Sequence, residues 1–215
     1  MTPALSHVTT WLFDLDHTLY PVEADVMRLI EARMSAYVMR TTGLPPEDAY
    51  QLQKRYLNEY GTTLAGLMAN HAIDPSDFLD DVHDVPLDSL HADPELNALI
   101  TCLPGRKIVF TNGDGKHSSR LLTKLEMDGL FDGVFHLEHA NLVPKPNLVT
   151  FELMMTAHKV TPTETAFFED SPRNLRPAHG LGMTTILVGP HAAANADDFV
   201  DFRSPSLKAF LQANT

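Results

Sequence analysis

The stretch Val8-Thr9-Thr10-Trp11-Leu12-Phe13-Asp14-Leu15-Asp16-His17-Thr18-Leu19-Tyr20-Pro21 decides how the rest of the chain is read. Its first half is threonine, aromatic and aliphatic, the make-up of a buried strand. The apolar run then meets Asp16, His17 and Thr18, which marks a strand end. Asp14 and Asp16 are two residues apart, so on an extended backbone both carboxylates point to the same side. Two carboxylates so placed can divide labour. One can attack phosphorus and ligate a metal; the other, when protonated, can give a proton to a leaving oxygen and later take one from water. The Asp-x-Asp fragment alone reads equally well as a turn or a helix cap.

Outward from this stretch the pattern of strand followed by polar loop recurs. Lys107 to Phe110 precede Thr111-Asn112-Gly113, Thr165 to Phe168 precede Glu169-Asp170, and Thr184 to Val188 precede Gly189-Pro190. A weaker strand lies around Val134 to Leu137. Helical spacing fills the gaps, with Leu121, Leu122 and Leu125 stopped near Gly129, and Phe151, Leu153, Met154 and Met155 ahead of His158. Alternating strands and helices predict an α/β fold, a parallel sheet with helices on both faces. In such sheets the loops at the carboxyl ends of the strands form the binding crevice.

Residues 21–93 have a different texture. Val26, Leu29, Ile30, Tyr37 and Val38 fall at helical spacing, with little strand character around them. Gly43 to Pro46 separate two helices, Gly61-Thr62-Thr63 end one and cap the next, Asp74-Pro75 is a further helix start, and Asp93-Pro94 reopens the core domain. The expected organisation is an α/β core from residues 1–20 and 94–215 and an inserted helical domain, 21–93. After the last strong strand, His191 to Asp201 read as a loop before a terminal helix containing Leu207, Phe210 and Leu211.

The polar loops carry the chemistry. Thr111, Asn112 and Gly113 offer a hydroxyl and exposed backbone N–H groups for a phosphate oxygen, although Asn-Gly is also a common turn. Lys145, between Pro144 and Pro146, is a cation on a restricted loop that can neutralise nucleophile and phosphate together; taken singly, most lysines are solvated surface charges. Glu169 and Asp170 close an apolar strand, where two adjacent acids are costly unless a cation binds them. With Asp14 they supply the hard oxygen ligands magnesium prefers, and Ser171 is left to cap the next helix. The order acid pair, hydroxyl, lysine, acid pair, each at a strand end or the loop beside it, is more telling than any one of them.

The chain has 215 residues, enough for one core domain and a smaller insertion. Sixteen basic against 28 acidic residues give a net charge of -12, which offers no sequence-independent grip on nucleic acid. The single cysteine, Cys102, makes no internal disulfide and no zinc-type spacing. A reducing compartment, the cytoplasm, is the expected setting, with neither export nor membrane insertion indicated.

Phe13-Asp14-Leu15-Asp16-His17-Thr18-Leu19-Tyr20-Pro21 resembles the first motif of the haloacid dehalogenase-like hydrolases, with the Asp-x-Asp-x-Thr core of its phosphatases. Thr111 resembles the second motif, Lys145 the third, and Phe168-Glu169-Asp170-Ser171 with Asn174 the fourth. The resemblance implies a Rossmann-like core with a helical cap inserted after the first motif, matching the insertion above. It implies magnesium as cofactor, held by Asp14, the backbone carbonyl of Asp16 and Asp170. Asp14 becomes the nucleophile, Asp16 the general acid and base, Thr111 and the Asn112 amide the phosphate holders, and Lys145 the charge between nucleophile and phosphate. Glu169 and Asn174 act from behind the ligands, Asn174 by orienting Asp170.

Tyr60-Gly61-Thr62-Thr63-Leu64-Ala65-Gly66-Leu67, Val82-His83-Asp84 and the Thr-Leu-Tyr-Pro end of the first motif are most similar to pyrimidine 5′-nucleotidases. The substrate implied is a small phosphate ester, a nucleoside monophosphate such as UMP or CMP, handled by a monomer or homodimer. Tyr60, Thr62 and Thr63 are the cap residues placed to face it, although Gly-Thr-Thr is also an efficient helix start. His17 departs from the asparagine expected there, and a histidine titrates near neutrality. Sugar-phosphate phosphatases and phosphomutases of the same superfamily remain compatible with the motifs, as does an inactive scaffold. A dehalogenase is disfavoured by Asp16, and a receiver-like phosphate-binding module by the insertion.

Overall fold

The computed structural model describes residues 5–214. Six parallel strands form one sheet in the order β3-β2-β1-β4-β5-β6. They are β1 (Thr10–Phe13), β2 (Arg106–Phe110), β3 (Gly133–Phe135), β4 (Thr165–Glu169), β5 (Thr184–Val188) and β6 (Phe202–Ser204). β1 is central, with Thr10 in register with Arg106 on one side and Thr165 on the other.

Period-two alternation divides the core in two. Trp11, Phe13, Val109, Phe168 and Ile186 share one buried cluster, in which Phe13 stacks on Phe168 with centroids 5.1 Å apart. Leu12, Ile108, Phe110, Phe167 and Leu187 share the other. Successive strand residues therefore feed opposite faces, as a sheet covered on both sides requires. The strand order reverses between β1 and β4, and the crevice of such a sheet opens at the carboxyl ends there. The loops after Phe13, Phe110 and Glu169 meet at that point.

Helices α1 (Val26–Thr42), α2 (Pro46–Tyr60), α3 (Thr63–Asn70) and α4 (Pro75–His83) follow β1. α1 packs on α2 and α4, and α2 on α3. Their ends follow the sequence signals. Gly43 stops α1 with φ 72° and its N–H on Met39 O, Pro46 opens α2, and Asp74 caps α4 through Ser76 N at 2.8 Å. α5 (Pro94–Cys102) starts at Asp93, whose Oδ1 accepts from Glu95 N and Leu96 N. α6 (Gly115–Lys124), α7 (Leu148–His158), α8 (Pro172–Gly180) and α9 (Leu207–Asn214) complete the layers.

The expected strand over Val8 to Asp14 is shorter in the fold, Thr10–Phe13, and that around Val134 to Leu137 is Gly133–Phe135, because Leu137 already begins a 3-10 turn. β6 lies beyond the expected loop; its three residues are too few for an alternation to register, and only Ser204 is buried. Among the described residues no helix is long and apolar enough to cross a membrane.

Candidate active site

Lys145 is the hub of the strand-end cluster. It is 1% exposed, and its Nζ donates to Asp14 Oδ1 at 2.8 Å, to Glu169 Oε2 at 2.8 Å and to Phe110 O at 2.7 Å. Those bonds use all three ammonium donors, and the group also lies over the rings of Phe110 and Phe167. Burial alone would drive this ammonium toward its neutral form, but Asp14 and Glu169 outweigh it and hold the pKa above the ordinary lysine range. The loop carrying Lys145 is fixed by Asn112, whose Oδ1 accepts from Lys145 N at 2.8 Å and whose Nδ2 donates to Lys145 O at 3.1 Å.

Asp14 follows β1 directly, and its N–H donates to Phe168 O at 2.9 Å, so the sheet ladder sets its position. Burial, followed by the charge of Glu169, pushes its carboxyl up to about 7 against the opposing pull of Lys145. Burial likewise raises Glu169. One cation for Asp14, Glu169 and Asp170 leaves a deficit of positive charge. Carboxylate oxygens of these three lie within 4.8 Å of one another, an all-oxygen set that fits magnesium. Glu169 is the least free of them: Oε2 is bound by Lys145, and Oε1 accepts from Ser171 N at 3.2 Å. Asp14 Oδ2, which accepts only a long bond from Thr18 Oγ1 at 3.5 Å, and Asp170 are the freer groups to face a cation.

Asp16 stands in a different environment. Tyr20 Oη donates to its Oδ1 at 2.6 Å, and His117 Nε2 lies 3.3 Å from the same oxygen. Burial opposes ionisation here too, but His117 and the Tyr20 hydroxyl prevail and hold the carboxyl at about 2. The two acids of Asp-x-Asp thus stand in different environments, Asp14 driven toward neutrality and Asp16 toward the anion.

Residues 11–188 match the family model of the haloacid dehalogenase-like hydrolases. The chain belongs to this family. It is 28% identical over 195 residues to Phosphate metabolism protein 8 of Saccharomyces cerevisiae, a match covering 82% of this chain and 60% of that protein. The chain therefore spans only part of the curated relative it matches. Among solved structures, a HAD phosphatase of Thermococcus onnurineus superposes with a TM-score of 0.64 at 18% identity, covering 96% of this chain and 97% of the other. YfnB of Bacillus subtilis, assigned to the HAD hydrolases and solved bound to magnesium, gives 0.63 at 14% identity, covering 97% and 99%. The L-2-haloacid dehalogenase of Xanthobacter autotrophicus gives 0.60 at 18%, covering 95% and 97%. At such identities these likenesses show the fold.

Within this haloacid dehalogenase-like hydrolase, Asp14, Asp16, Thr111, Asn112, Lys145, Glu169 and Asp170 all lie at the crevice. Thr111 is buried, its Oγ1 accepting from Gly113 N at 2.9 Å. The Asn112 side chain grips the Lys145 backbone, a use that motif spacing does not disclose. His17 adopts φ 60°, and its Nδ1 lies 3.6 Å from Asp170 Oδ2, whose carboxylate raises the imidazole pKa.

Two expectations differ. Asn174 is buried in α8 with Oδ1 unpartnered and, among the described residues, makes no hydrogen bond to Asp170; it is His17 that faces Asp170. Ser171 occupies the N-cap of α8, but its hydroxyl caps nothing; Pro172 follows at the first helical position, where no N–H needs a partner.

Of the residues expected to face substrate from the helical segment, Thr62 caps α3 through Ala65 N at 3.1 Å and Thr63 is buried. Tyr60 is exposed, its hydroxyl accepting from Asn70 Nδ2 at 3.2 Å. The residue that reaches the site is Gly61. A Cβ there would meet Pro144 Cγ at 3.1 Å and Lys145 O at 3.4 Å, and Arg173 of α8 donates to Gly61 O and Leu57 O at 3.0 and 3.1 Å. Arg173 lies far from Gly61 in sequence, and nothing in the local pattern marks it.

Proposed function

We propose that this hydrolase is a magnesium-dependent phosphatase. It hydrolyses a small phosphate monoester through an aspartyl-phosphate on Asp14, with pyrimidine nucleoside 5′-monophosphates as the substrate class. The observation that carries the reading is the split between Asp14, bound by the buried Lys145, and Asp16, bound by Tyr20 and His117. A halide leaves without a proton, so a dehalogenase has no use for a second acid so carefully held; a phosphate ester does. The phosphate metabolism relative favours the same class.

In this mechanism Asp14 attacks phosphorus, the bond from phosphorus to the ester oxygen breaks, and Asp16 delivers a proton to that oxygen. The surroundings of the two acids lean the other way, Asp14 toward neutral and Asp16 toward the anion; a cation held at Asp14 favours its anion and a phosphate dianion beside Asp16 favours its acid form, as the two roles require. Asp16 then removes a proton from water, which attacks the acyl phosphate, releases inorganic phosphate and frees Asp14. Lys145 neutralises Asp14 throughout, and Thr111 with the Asn112 amide holds the transferring group. Magnesium, when held by Asp14, the Asp16 carbonyl and Asp170, supplies positive charge against the phosphoryl oxygens.

Residues 21–93 serve as the cap over the core of residues 1–20 and 94–215. Their docking at Gly61 over Pro144 and Lys145 closes the site to large substrates. Tyr60, Thr62 and Thr63 flank that contact, and His17 stands beside Asp170 at the mouth.

The test is phosphate release from nucleoside monophosphates and sugar phosphates, with and without magnesium, beside Asp14→Asn. Magnesium-dependent release led by UMP or CMP and abolished in the variant is expected. Release led by sugar phosphates discards the nucleotide class, and full activity in Asp14→Asn discards the mechanism.

A further inference from the structure

α6 presents three side chains to a single residue of the helical segment, His83. Asp114 caps α6, its Oδ1 accepting from His117 N at 2.6 Å, and its Oδ2 pairs with His83 Nδ1. The imidazole of His117 lies flat against that of His83, with centroids 4.2 Å apart and planes 12° from parallel. Arg120 donates to His83 O at 2.6 Å and to Val85 O at 2.8 Å. Residues 114, 117 and 120 share one face by their spacing of three. His83 is the last residue of α4, where carbonyls lack intrahelical partners, and Arg120 supplies one.

The other edge of His117 meets the active site. Its Nε2 lies 3.3 Å from Asp16 Oδ1, and Tyr20 Oη reaches that same oxygen at 2.6 Å. Oδ1 already accepts from the Tyr20 hydroxyl, and as an acceptor it takes Nε2 as its second donor, which places a proton on Nε2. His117 Nδ1 is buried without a partner. With both donors on Oδ1, the other oxygen is left for reaction. Asp16 Oδ2 lies on the Gly113 side: a Cβ on that glycine would stand 3.9 Å from Oδ2, 3.3 Å from Thr111 Oγ1 and 3.2 Å from the His117 ring.

We propose that His117 is a positioning residue that fixes Asp16 with Oδ2 as the proton-transferring atom, and that His83, carried in by the helical segment, holds the His117 ring in place. This rests on the phosphatase reading of Asp16. It gives the helical segment a part in proton transfer besides covering the site, since His117 keeps its ring contact only while α4 is seated on α6.

The test compares UMP, whose alkoxide needs a proton to leave, with 4-nitrophenyl phosphate, whose phenolate does not, in magnesium-loaded wild type, His117→Ala, His117→Gln and His83→Ala. His117→Ala is expected to lower kcat on UMP by about 10²-fold, a general-acid effect, with KM unchanged and a smaller loss on 4-nitrophenyl phosphate. His117→Gln, whose amide nitrogen reaches the Nε2 position, restores most of the rate, and His83→Ala shows a weaker loss with the same substrate bias. An equal loss on both substrates, or a wild-type rate on UMP in His117→Ala, overturns the positioning role while leaving the phosphatase reading intact. If His117→Ala fails to fold, His117→Gln and His83→Ala decide: wild-type rates or no substrate bias in His83→Ala overturns the proposal. Wild type inactive on both substrates overturns the phosphatase reading, and this proposal with it.

Discussion

The side-chain amide of Asn112 closes on the backbone of Lys145 from both sides, accepting from its N–H at 2.8 Å and donating to its carbonyl at 3.1 Å. The Asn-Gly loop after β2 therefore anchors the loop that delivers the buried cation. Asn112→Ala removes two partly buried hydrogen bonds, each worth about 1 kcal/mol net. The expected outcome is a loss of about 2 kcal/mol in urea unfolding together with a fall in kcat as Lys145 loses its fixed position. Asn112→Asp keeps the acceptor but loses the donor, and should fall between wild type and Asn112→Ala in both measurements.

Gly61 is held at φ 91° over Pro144 and Lys145, with Arg173 bound to its carbonyl. Alanine at this position meets both a disfavoured backbone and a Cβ contact at 3.1 Å. Gly61→Ala should destabilise by about 1 kcal/mol or more and shift the α2–α3 turn away from Lys145. KM should rise more than kcat falls. Arg173→Ala, which removes the core's grip on the same turn, should raise KM in the same way without the backbone penalty, and steady-state kinetics of the two variants check this.

The sheet was legible in the sequence because β1, β2, β4 and β5 are short apolar runs each ending on a polar loop, and the helices of residues 21–93 because glycine and proline mark their ends. The Lys145 cluster was legible because its members sit at strand ends, where a parallel sheet gathers them. What was hidden depends on packing between distant segments. Arg173 on Gly61 leaves no local pattern, and although Val82-His83-Asp84 stands out in the sequence, nothing near it says that His83 packs against His117. Asn174 fits the fourth motif, yet it is buried in α8 with Oδ1 unpartnered and, among the described residues, makes no hydrogen bond to Asp170.

Lys145→Met removes the one charge shared by Asp14 and Glu169 while keeping much of the side-chain volume. Both carboxyls are already raised by burial, and without the ammonium they rise further. Breaking a buried pair by removing one partner costs about 3–5 kcal/mol, so the variant should unfold at markedly lower urea than wild type at pH 8. The deficit should narrow at pH 5, where both carboxyls take up protons. A deficit independent of pH would show that Lys145 stabilises by packing on Phe110 and Phe167 and not by charge.

The raised carboxyl of Asp14 also sets a pH signature for the metal-free protein. Its folded pKa, about 7, lies above the ordinary 3.8, so the folded state binds the proton more tightly than the unfolded chain. The stability it contributes is fully present below about 4 and is lost as pH rises through about 7. In metal-free wild type, stability should therefore fall between pH 5 and pH 8 more steeply than in Asp14→Asn, which has no proton to lose at that position. Magnesium held at Asp14, as proposed, would act in the opposite sense: it would bind the ionised carboxylate, so its stabilisation should be small at pH 5 and grow toward pH 8. Thermal unfolding of both proteins at the two pH values, with and without magnesium, checks the sign. A wild type whose magnesium-induced rise in Tm is the same at both values would mean that the cation does not bind Asp14.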